Sequence, residues 1–377
     1  MTDPLVKGWC PGALRPMESG DGLVLRIRPR GGRLTVEQTR VLADLALTHG
    51  SGLIDLGTRA HLQLRGIRAD SLPVLHRVLT DLDLLDPDPQ AEARRNILTT
   101  PIWQDDETQA LIAALERALA DAPDLPPKFG FAVDTGAQAV LGHDSADIRI
   151  ERAAHGLILR ADGMDMGEAV RLSDAAPRAV ALAHWFARHC GAETRMARLV
   201  AAGVTPPLDA TIPLLTGPRL MPGPTPFGLC LALPFGQITA QTLREVALAP
   251  LRLTPWRSVV IERLHEFAVP PGLIVDPADP LLRVAACTGA PGCASAKAST
   301  RALARDLAPL VPEGAVLHVS GCGKGCAMPH AARLTLTATE NGFDLIRDGR
   351  AHDTPIARGL APSDIPNLLR GHFASHL

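Results

Sequence analysis

The sequence predicts an α+β fold built twice, in the order A-B-A′-B′, and three observations predict it. The chain has 377 residues, too many for one ordinary core, which serves roughly 100 to 200. The segment GRLTVEQTRVLADLA (32–46) reappears as GQITAQTLREVALAP (236–250), 204 residues apart at Thr35 and Thr239. Other segments recur in the same order. RNILTTP from Arg95 parallels RVAACTGAP from Arg283, FAVDTG parallels LHVSGC, and DIRIERAAHGLILRADG parallels ARLTLTATENGFDLIRDG.

Each A unit reads as a strand end, a threonine at a helix N-cap, an apolar helical pattern and a second strand. That second strand carries an arginine: Arg59 in GTRAHLQLRGI and Arg257 in TPWRSVVIE. Each B unit ends in a β-hairpin. Proline-rich joints at 86–90, 205–228 and 269–280 divide the chain into units of 1–90, 91–205, 206–278 and 279–377.

Composition excludes several classes of function. The 38 basic residues are offset by 40 acidic ones, for a net charge of −2, so no bulk polyanion is bound and any anion site is local. Tyrosine is absent and aromatics make up 3%, which argues against a base-stacking nucleic-acid surface. The opening MTDPLVKGWCPG has no apolar signal region, and no run approaches the ~18 apolar residues of a membrane span. A cytoplasmic protein with no membrane partner is expected. In that compartment seven cysteines point to metal or catalytic thiols rather than disulfides.

Four of the seven are spaced C-x5-C (Cys287, Cys293) and C-x3-C (Cys322, Cys326) in two glycine-rich loops. Structural zinc sites favour short C-x2-C-like knuckles, whereas C-x5-C leaves a wider loop that suits a cubane iron-sulfur cluster. Glycines 289, 292, 321, 323 and 325 let backbone N–H groups approach sulfur, and Lys324 adds positive charge. Cys190 and Cys230 stand in apolar settings and read as buried small hydrophobes. GCGKGC lacks the endings of a phosphate loop or a dinucleotide fingerprint.

A second constellation is cationic. The period-2 pattern of RAHLQLRG puts Arg59, His61, Gln63 and Arg65 on one face and Leu62 and Leu64 on the other. LRIRPR stacks Arg26, Arg28 and Arg30 on one side, an arrangement that wants solvent or an anion.

The cysteine spacing in a duplicated chain resembles the sulfite and nitrite reductase family, and the likeness runs through essentially the whole sequence. The resemblance implies two ferredoxin-like half-domains, two larger α/β lobes, and a 4Fe-4S cluster on Cys287, Cys293, Cys322 and Cys326 beside a bound tetrapyrrole. In that family the cysteine matching Cys326 also bridges the cluster to siroheme iron. Arg59 matches the arginine of the family's T-x-R-Q-like strand, Arg95-Asn96 its R-N motif, and Lys128 in LPPKFG its L-P-[RK]-K-F-K. On this basis Arg59, His61, Gln63, Arg65, Arg95, Asn96 and Lys128 are expected to bind the macrocycle. Pro127 and Gly130 depart from the pattern and remove two positive groups expected around sulfite or nitrite.

KGWCPGALRPMESGDGLVLRIRPRGG, IDLGTRAHLQLRGI and ACTGAPGC with HVSGCGKGC are similar to one branch of the family, the oxygen-dependent monooxygenases of aerobic cobalamin biosynthesis. These treat a tetrapyrrole as substrate. The implied reaction hydroxylates C20 of precorrin-3A with dioxygen and closes a γ-lactone, with NADH as ultimate reductant. Because no nicotinamide fingerprint is present, electrons are expected from a separate reductase or ferredoxin. The resemblance also implies a mononuclear non-haem iron, for which His61 and His318 are candidate ligands; spacing identifies no 2-His-1-carboxylate trio. A siroheme-dependent sulfite or nitrite reductase, a non-catalytic iron-sulfur electron carrier and a zinc-stabilised scaffold are the alternatives.

Overall fold

The structure, a computed structural model, describes residues 11–104 and 106–374. Cys10 and the start of the motif that begins at Lys7 lie outside them. The first A unit supplies β1 (Met17–Ser19), β2 (Gly22–Ile27), β3 (Arg33–Leu34), β4 (Leu53–Leu56) and β5 (Leu62–Ile67). The first B unit supplies β6 (Ile97–Thr99), β7 (Phe131–Asp134), β8 (Ile148–Arg152), β9 (Leu157–Ala161), β10 (Met166–Val170) and β11 (Ile212–Pro213). The second A unit supplies β12 (Gly223–Thr225), β13 (Gly228–Ala232), β14 (Gln237–Thr239), β15 (Leu251–Leu253) and β16 (Ser258–Glu262). The second B unit supplies β17 (Val284–Ala286), β18 (Leu317–Ser320), β19 (Ala332–Thr339), β20 (Gly342–Gly349) and β21 (Ala357–Leu360).

The two A sheets have one topology, β1-β2-β5-β4-β14 and β12-β13-β16-β15-β3, and each takes its last strand from the other unit. β14 pairs with β4, and β3 pairs with β15. Strands of two or three residues gain little by themselves. Here each leads directly into a threonine cap. Thr35 accepts from Gln38 N–H at 3.1 Å and Gln38 returns the bond at 2.9 Å, a reciprocal cap for the helix Val36–His49. Thr239 accepts from Thr242 N–H at 3.1 Å to start the helix Ala240–Glu245. Leu25, Leu42 and Leu64 of one unit and Leu231, Leu243 and Ile261 of the other lie in a single core, so the exchange makes one body of two half-domains.

The B units also share a topology: three parallel strands (β6-β7-β8 and β17-β18-β19) followed by antiparallel β9, β10 and β20, β21. Each has its own core, around Phe131, Ile150 and Phe186 in the first and Leu317, Leu336 and Leu345 in the second. Ile212 and Pro213, inside the second proline-rich joint and past the boundary expected at 205, add an edge strand to the first of these sheets. The α+β, duplicated architecture is therefore present throughout. Among the described residues no helix is long and apolar enough to cross a membrane.

The duplication also shows what replaced the cysteines in the first lobe. Thr100 N–H bonds Val133 O at 2.9 Å as Cys287 N–H bonds Val319 O at 3.4 Å, so Thr100 stands where Cys287 stands. Asp134, at the end of β7, corresponds to Ser320 at the end of β18. Its buried carboxyl accepts from Val140 and Leu141 N–H, both at 2.6 Å, and organises that loop. Burial is the larger influence and pushes this carboxyl up to about 7 from 3.8, against the pull of those backbone bonds. A raised carboxyl contributes stability that is complete below its unfolded value and is lost as pH climbs to the folded one. Asparagine cannot ionise, so Asp134→Asn gains stability relative to the parent between pH 5 and pH 8, by about 2 to 3 kcal/mol. Denaturant melts at the two pH values measure this; an identical difference at both would show the carboxyl to be ionised throughout.

One expectation fails within the cationic strand. β2 ends at Ile27, and Pro29, which has no N–H to continue a ladder, leads into a turn at Arg30–Gly32. Arg30 therefore leaves the face of Arg26 and Arg28 and pairs with Asp83 at 2.8 Å and Glu116 at 3.0 Å.

Candidate functional site

The four cysteines lie on the loops that follow β17 and β18, the first two strands of the last parallel sheet. Gly321 N–H points at Cys287 Sγ at 3.1 Å, joining one loop to the other. A side chain at Gly321 would stand 2.7 Å from Ala296 Cβ, and one at Gly289 (φ +69°) 2.6 Å from Thr300 Oγ1. Close approach thus demands glycine at both. The Cys326 thiol is raised, first by partial burial and then by Cys287, Cys322 and Cys293, against the pull of Lys324. The donor set and the sulfur-directed N–H fit an iron-sulfur cluster. Of the remaining cysteines, Cys230 is buried and its thiol is pushed up to about 11 by that burial, while Cys190 is only half-buried at the end of the helix Leu172–His189.

Each half-domain reaches the first loop of one lobe through a buried charged hub. In the first, Arg65 binds Asp21 through two bonds of 2.8 and 3.0 Å and lies 3.5 Å from Asp55. Its Nη2 and Ser19 Oγ then donate to Gly292 O, beside Cys293, at 2.5 and 2.7 Å. Asp55 also accepts from Gln237 at 3.0 Å and Arg301 at 3.2 Å. In the second, Arg252 pairs with Glu262 at 3.0 Å and donates to Pro101 O and Trp103 O at 2.8 and 2.7 Å, in the loop after β6. The hubs are counterparts with the charges reversed.

The turns between β4 and β5 and between β15 and β16 meet the second loops. Gly57 N–H bonds His61 O at 2.9 Å and Thr254 N–H bonds Ser258 O at 3.0 Å. This register makes Ala60 (φ +54°) the partner of Arg257 (φ +57°), not Arg59, the arginine that the sequence pattern aligns with it. Arg59 donates to Lys128 O at 3.2 Å and reaches Ser145 at 3.5 Å, and Trp256 Nε1 donates to Asp144 at 3.1 Å. Both half-domains therefore touch the loop after β7. Arg257 donates to Ala327 O, beside Cys326, at 2.7 Å.

His61 is buried, its Nδ1 has no hydrogen-bond partner, and its pKa lies well below the ordinary value, through burial and then Arg28, Arg26, Arg59 and Arg95. A neutral imidazole thus sits in a ring of guanidinium groups. That field attracts carboxylates and repels a metal dication. His318 is also fully buried with neither ring nitrogen partnered, and burial with Arg257 lowers it to about 4. Among the described residues no three His, Cys, Asp or Glu side chains converge on a single metal position.

The expected macrocycle-binding residues divide into two groups. The alternating face expected for Arg59, His61, Gln63 and Arg65 does not form as one strand, because β5 starts at Leu62 and Ala60 turns the chain before it: Gln63 stands opposite Arg26, His61 just ahead of the strand and Arg59 in the turn, with Lys128 exposed beside Arg59. Arg65, Arg95 and Asn96 are committed within the protein: Arg65 to its hub, Arg95 to Asp86 through two bonds of 2.7 and 2.8 Å and to Arg28 O at 2.9 Å, and Asn96 to Phe129 O at 2.7 Å. Removing one partner from such a buried ion pair costs about 3 to 5 kcal/mol, and leaving a buried carbonyl such as Phe129 O without its donor about 1 to 3 kcal/mol, so these three act first on stability. Arg28, whose guanidinium donates to Glu92 O and is lowered to about 10 by burial, joins the ring around His61 although its strand alone could equally have been a solvated edge.

Fold, cysteine loops and cationic face together resemble those of the sulfite and nitrite reductases. Residues 15–82 match the nitrite/sulfite reductase ferredoxin-like half domain. A precorrin-3B synthase from Sinorhizobium sp is 28% identical, over 93% of this chain and 85% of that relative. A ferredoxin--nitrite reductase from Synechococcus elongatus is 25% identical, over 94% of this chain and 86% of the relative. The solved structure of the Mycobacterium tuberculosis NirA protein shares the fold, with a TM-score of 0.61 and 18% identity over 92% of this chain and 79% of that one.

Proposed function

We propose that the chain is an oxygen-dependent monooxygenase that converts precorrin-3A to precorrin-3B, with a 4Fe-4S cluster on Cys287, Cys293, Cys322 and Cys326. The observation that carries this reading is Gly130. Where the oxyanion reductases of the resemblance have a second lysine, this chain has a buried glycine. A side chain there would stand 2.6 Å from Asn96 Nδ2, and Asn96 is itself held by Phe129 O. Pro127 removes a further cation. The face keeps guanidinium groups for the acetates and propionates of a macrocycle and lacks the paired lysines that would hold sulfite or nitrite.

In the proposed reaction one atom of dioxygen enters the product at C20 and the other leaves as water. Two electrons and two protons are consumed, and the electrons derive from NADH through a separate donor. When bound, the cluster supplies them one at a time. Arg59 and Lys128 hold macrocycle carboxylates, and Gln63 and the neutral His61 offer hydrogen bonds on the same face. Arg59→Ala is expected to weaken binding of precorrin-3A by about 1 to 3 kcal/mol, the usual loss for one charge-assisted contact, with the cluster spectrum unchanged. Equilibrium titration of the pigment measures it, and unchanged affinity would assign Arg59 to solvent and to its contacts within the protein, Lys128 O and Ser145 among them.

A further inference from the structure

Arg257 is a residue with no evident structural need. It occupies a left-handed backbone position, which costs a non-glycine residue about 1 kcal/mol or more. The equivalent turn of the first half-domain makes the same conformation with Ala60, so the turn itself does not call for a guanidinium. Room has been made for this one. Gly236 (φ +75°) lies beneath it, and a side chain there would stand 3.1 Å from Arg257 Cγ and Cδ and 2.6 Å from Leu56 O.

The guanidinium ends between the two cysteine loops. Nη2 donates to Ala327 O at 2.7 Å, next to Cys326 on one loop. Its pKa is lowered, by burial first, with Cys287 on the other loop acting against that shift, and the guanidinium in turn helps to lower His318 beneath them. The other charged groups that act on it are Arg301 and Asp55. Asp55 is already bound by Arg301 at 3.2 Å and faces Arg65 at 3.5 Å. Among the described residues no carboxylate lies within ion-pair distance of Arg257. A half-buried guanidinium without a carboxylate partner is thus left facing the cysteine loops.

We infer that Arg257 is a positioning residue of the iron-sulfur site, whose charge is the counter-ion of the cluster and favours its reduced state. The inference rests on the four-cysteine cluster proposed above. Reduction adds one negative charge to the cluster, so a fixed guanidinium beside it stabilises the reduced form over the oxidised one. Its companion Arg65, which reaches the C-x5-C loop from β5, has its charge matched by Asp21 and Asp55, so Arg257 carries the unmatched charge.

The test is a potentiometric titration of the anaerobically purified, full-length protein, followed by electron paramagnetic resonance of the reduced cluster. Iron and sulfide are counted first. Arg257→Gln is expected to keep both at the parental ratio and to shift the midpoint to more negative potential. Arg257→Lys, which keeps the charge and loses the fork, is expected to stay closer to the parent. A glutamine variant with an intact cluster and the parental midpoint overturns the inference. If neutral variants (Gln, and Met as a second choice) lose the cluster while Lys retains it, charge is again the requirement and the inference stands. Loss from all three variants alike assigns Arg257 to shape rather than charge and overturns it. A parent protein without iron and sulfide refutes the cluster itself, a failure visible before any variant is made, and removes this inference with it.

Discussion

Serine in place of Cys293 is expected to leave the purified protein without the iron and sulfide of the proposed cluster and without its brown colour. The substitution changes one atom, but a serine hydroxyl stays protonated where a thiolate binds iron, and a four-thiolate cluster has no spare ligand. Cys293 is the informative choice because its loop is held independently. Arg65 and Ser19 bind the carbonyl of Gly292, and Cys293 N–H bonds Gly289 O at 2.9 Å. The loop therefore stays in place when the sulfur is gone, and loss of the cluster reports the ligand rather than a collapsed fold. Cys190→Ser, half-buried and remote in sequence from both loops, is expected to keep the full complement. Iron and sulfide assays on the anaerobically purified variants decide it: full retention in Cys293→Ser would falsify the four-cysteine assignment.

Much of the fold could be read from the sequence because the duplication repeats local physics. Thr35 and Thr239 are both caps, and each B unit repeats a parallel strand pair before its hairpin, so period, cap and turn chemistry agreed twice over. The exchange of β3 and β14 could not be read. Strands of two and three residues have no period to detect, and their partners are about 200 residues away in sequence. Only burial of the shared core selects that pairing.

The candidate site was legible in its residue types and less so in their commitments. Cysteine spacing carried a strong signal because ligand geometry constrains spacing directly. Arginines carry a weak one, since the same guanidinium serves a ligand or an internal carboxylate. Arg59 and Arg65 share an alternating face in the sequence, yet Asp21 and Asp55, from a hairpin turn and a neighbouring strand, claim Arg65. Asp86 claims Arg95 in the same way. Arg257 shows the opposite failure. Pattern alignment set it opposite Arg59, and only the turn hydrogen bonds reveal that its counterpart is Ala60, which is what marks the guanidinium as an addition. The reversed hubs, Asp55 with Arg65 and Arg252 with Glu262, were hidden because a duplicate that keeps a charge pair while inverting it keeps no letter in common.

Turnover with precorrin-3A under isotopically labelled dioxygen is expected to place one label in the C20 hydroxyl and to stop when oxygen is withheld. The requirement follows from the balance of the reaction: no residue of the chain supplies an oxygen atom, and the second atom leaves as water with the two electrons. The same site is expected to be poor with sulfite and nitrite. Gly130 and Pro127 stand where two cations would face the oxyanion, and loss of even one preorganised donor costs about a hundredfold or more in rate. Lysine cannot simply be restored at position 130, because Asn96 fills the space a side chain needs. A tetrapyrrole that is a substrate must also leave, so the purified protein is expected to show the absorption of the cluster without a tightly held siroheme. Mass spectrometry of the product and stopped-flow oxidation of the reduced protein measure the two halves separately. Unlabelled product, or rapid sulfite-dependent oxidation with a siroheme band, would instead make the chain a reductase whose oxyanion is held by Arg28, Arg59 and Lys128 alone.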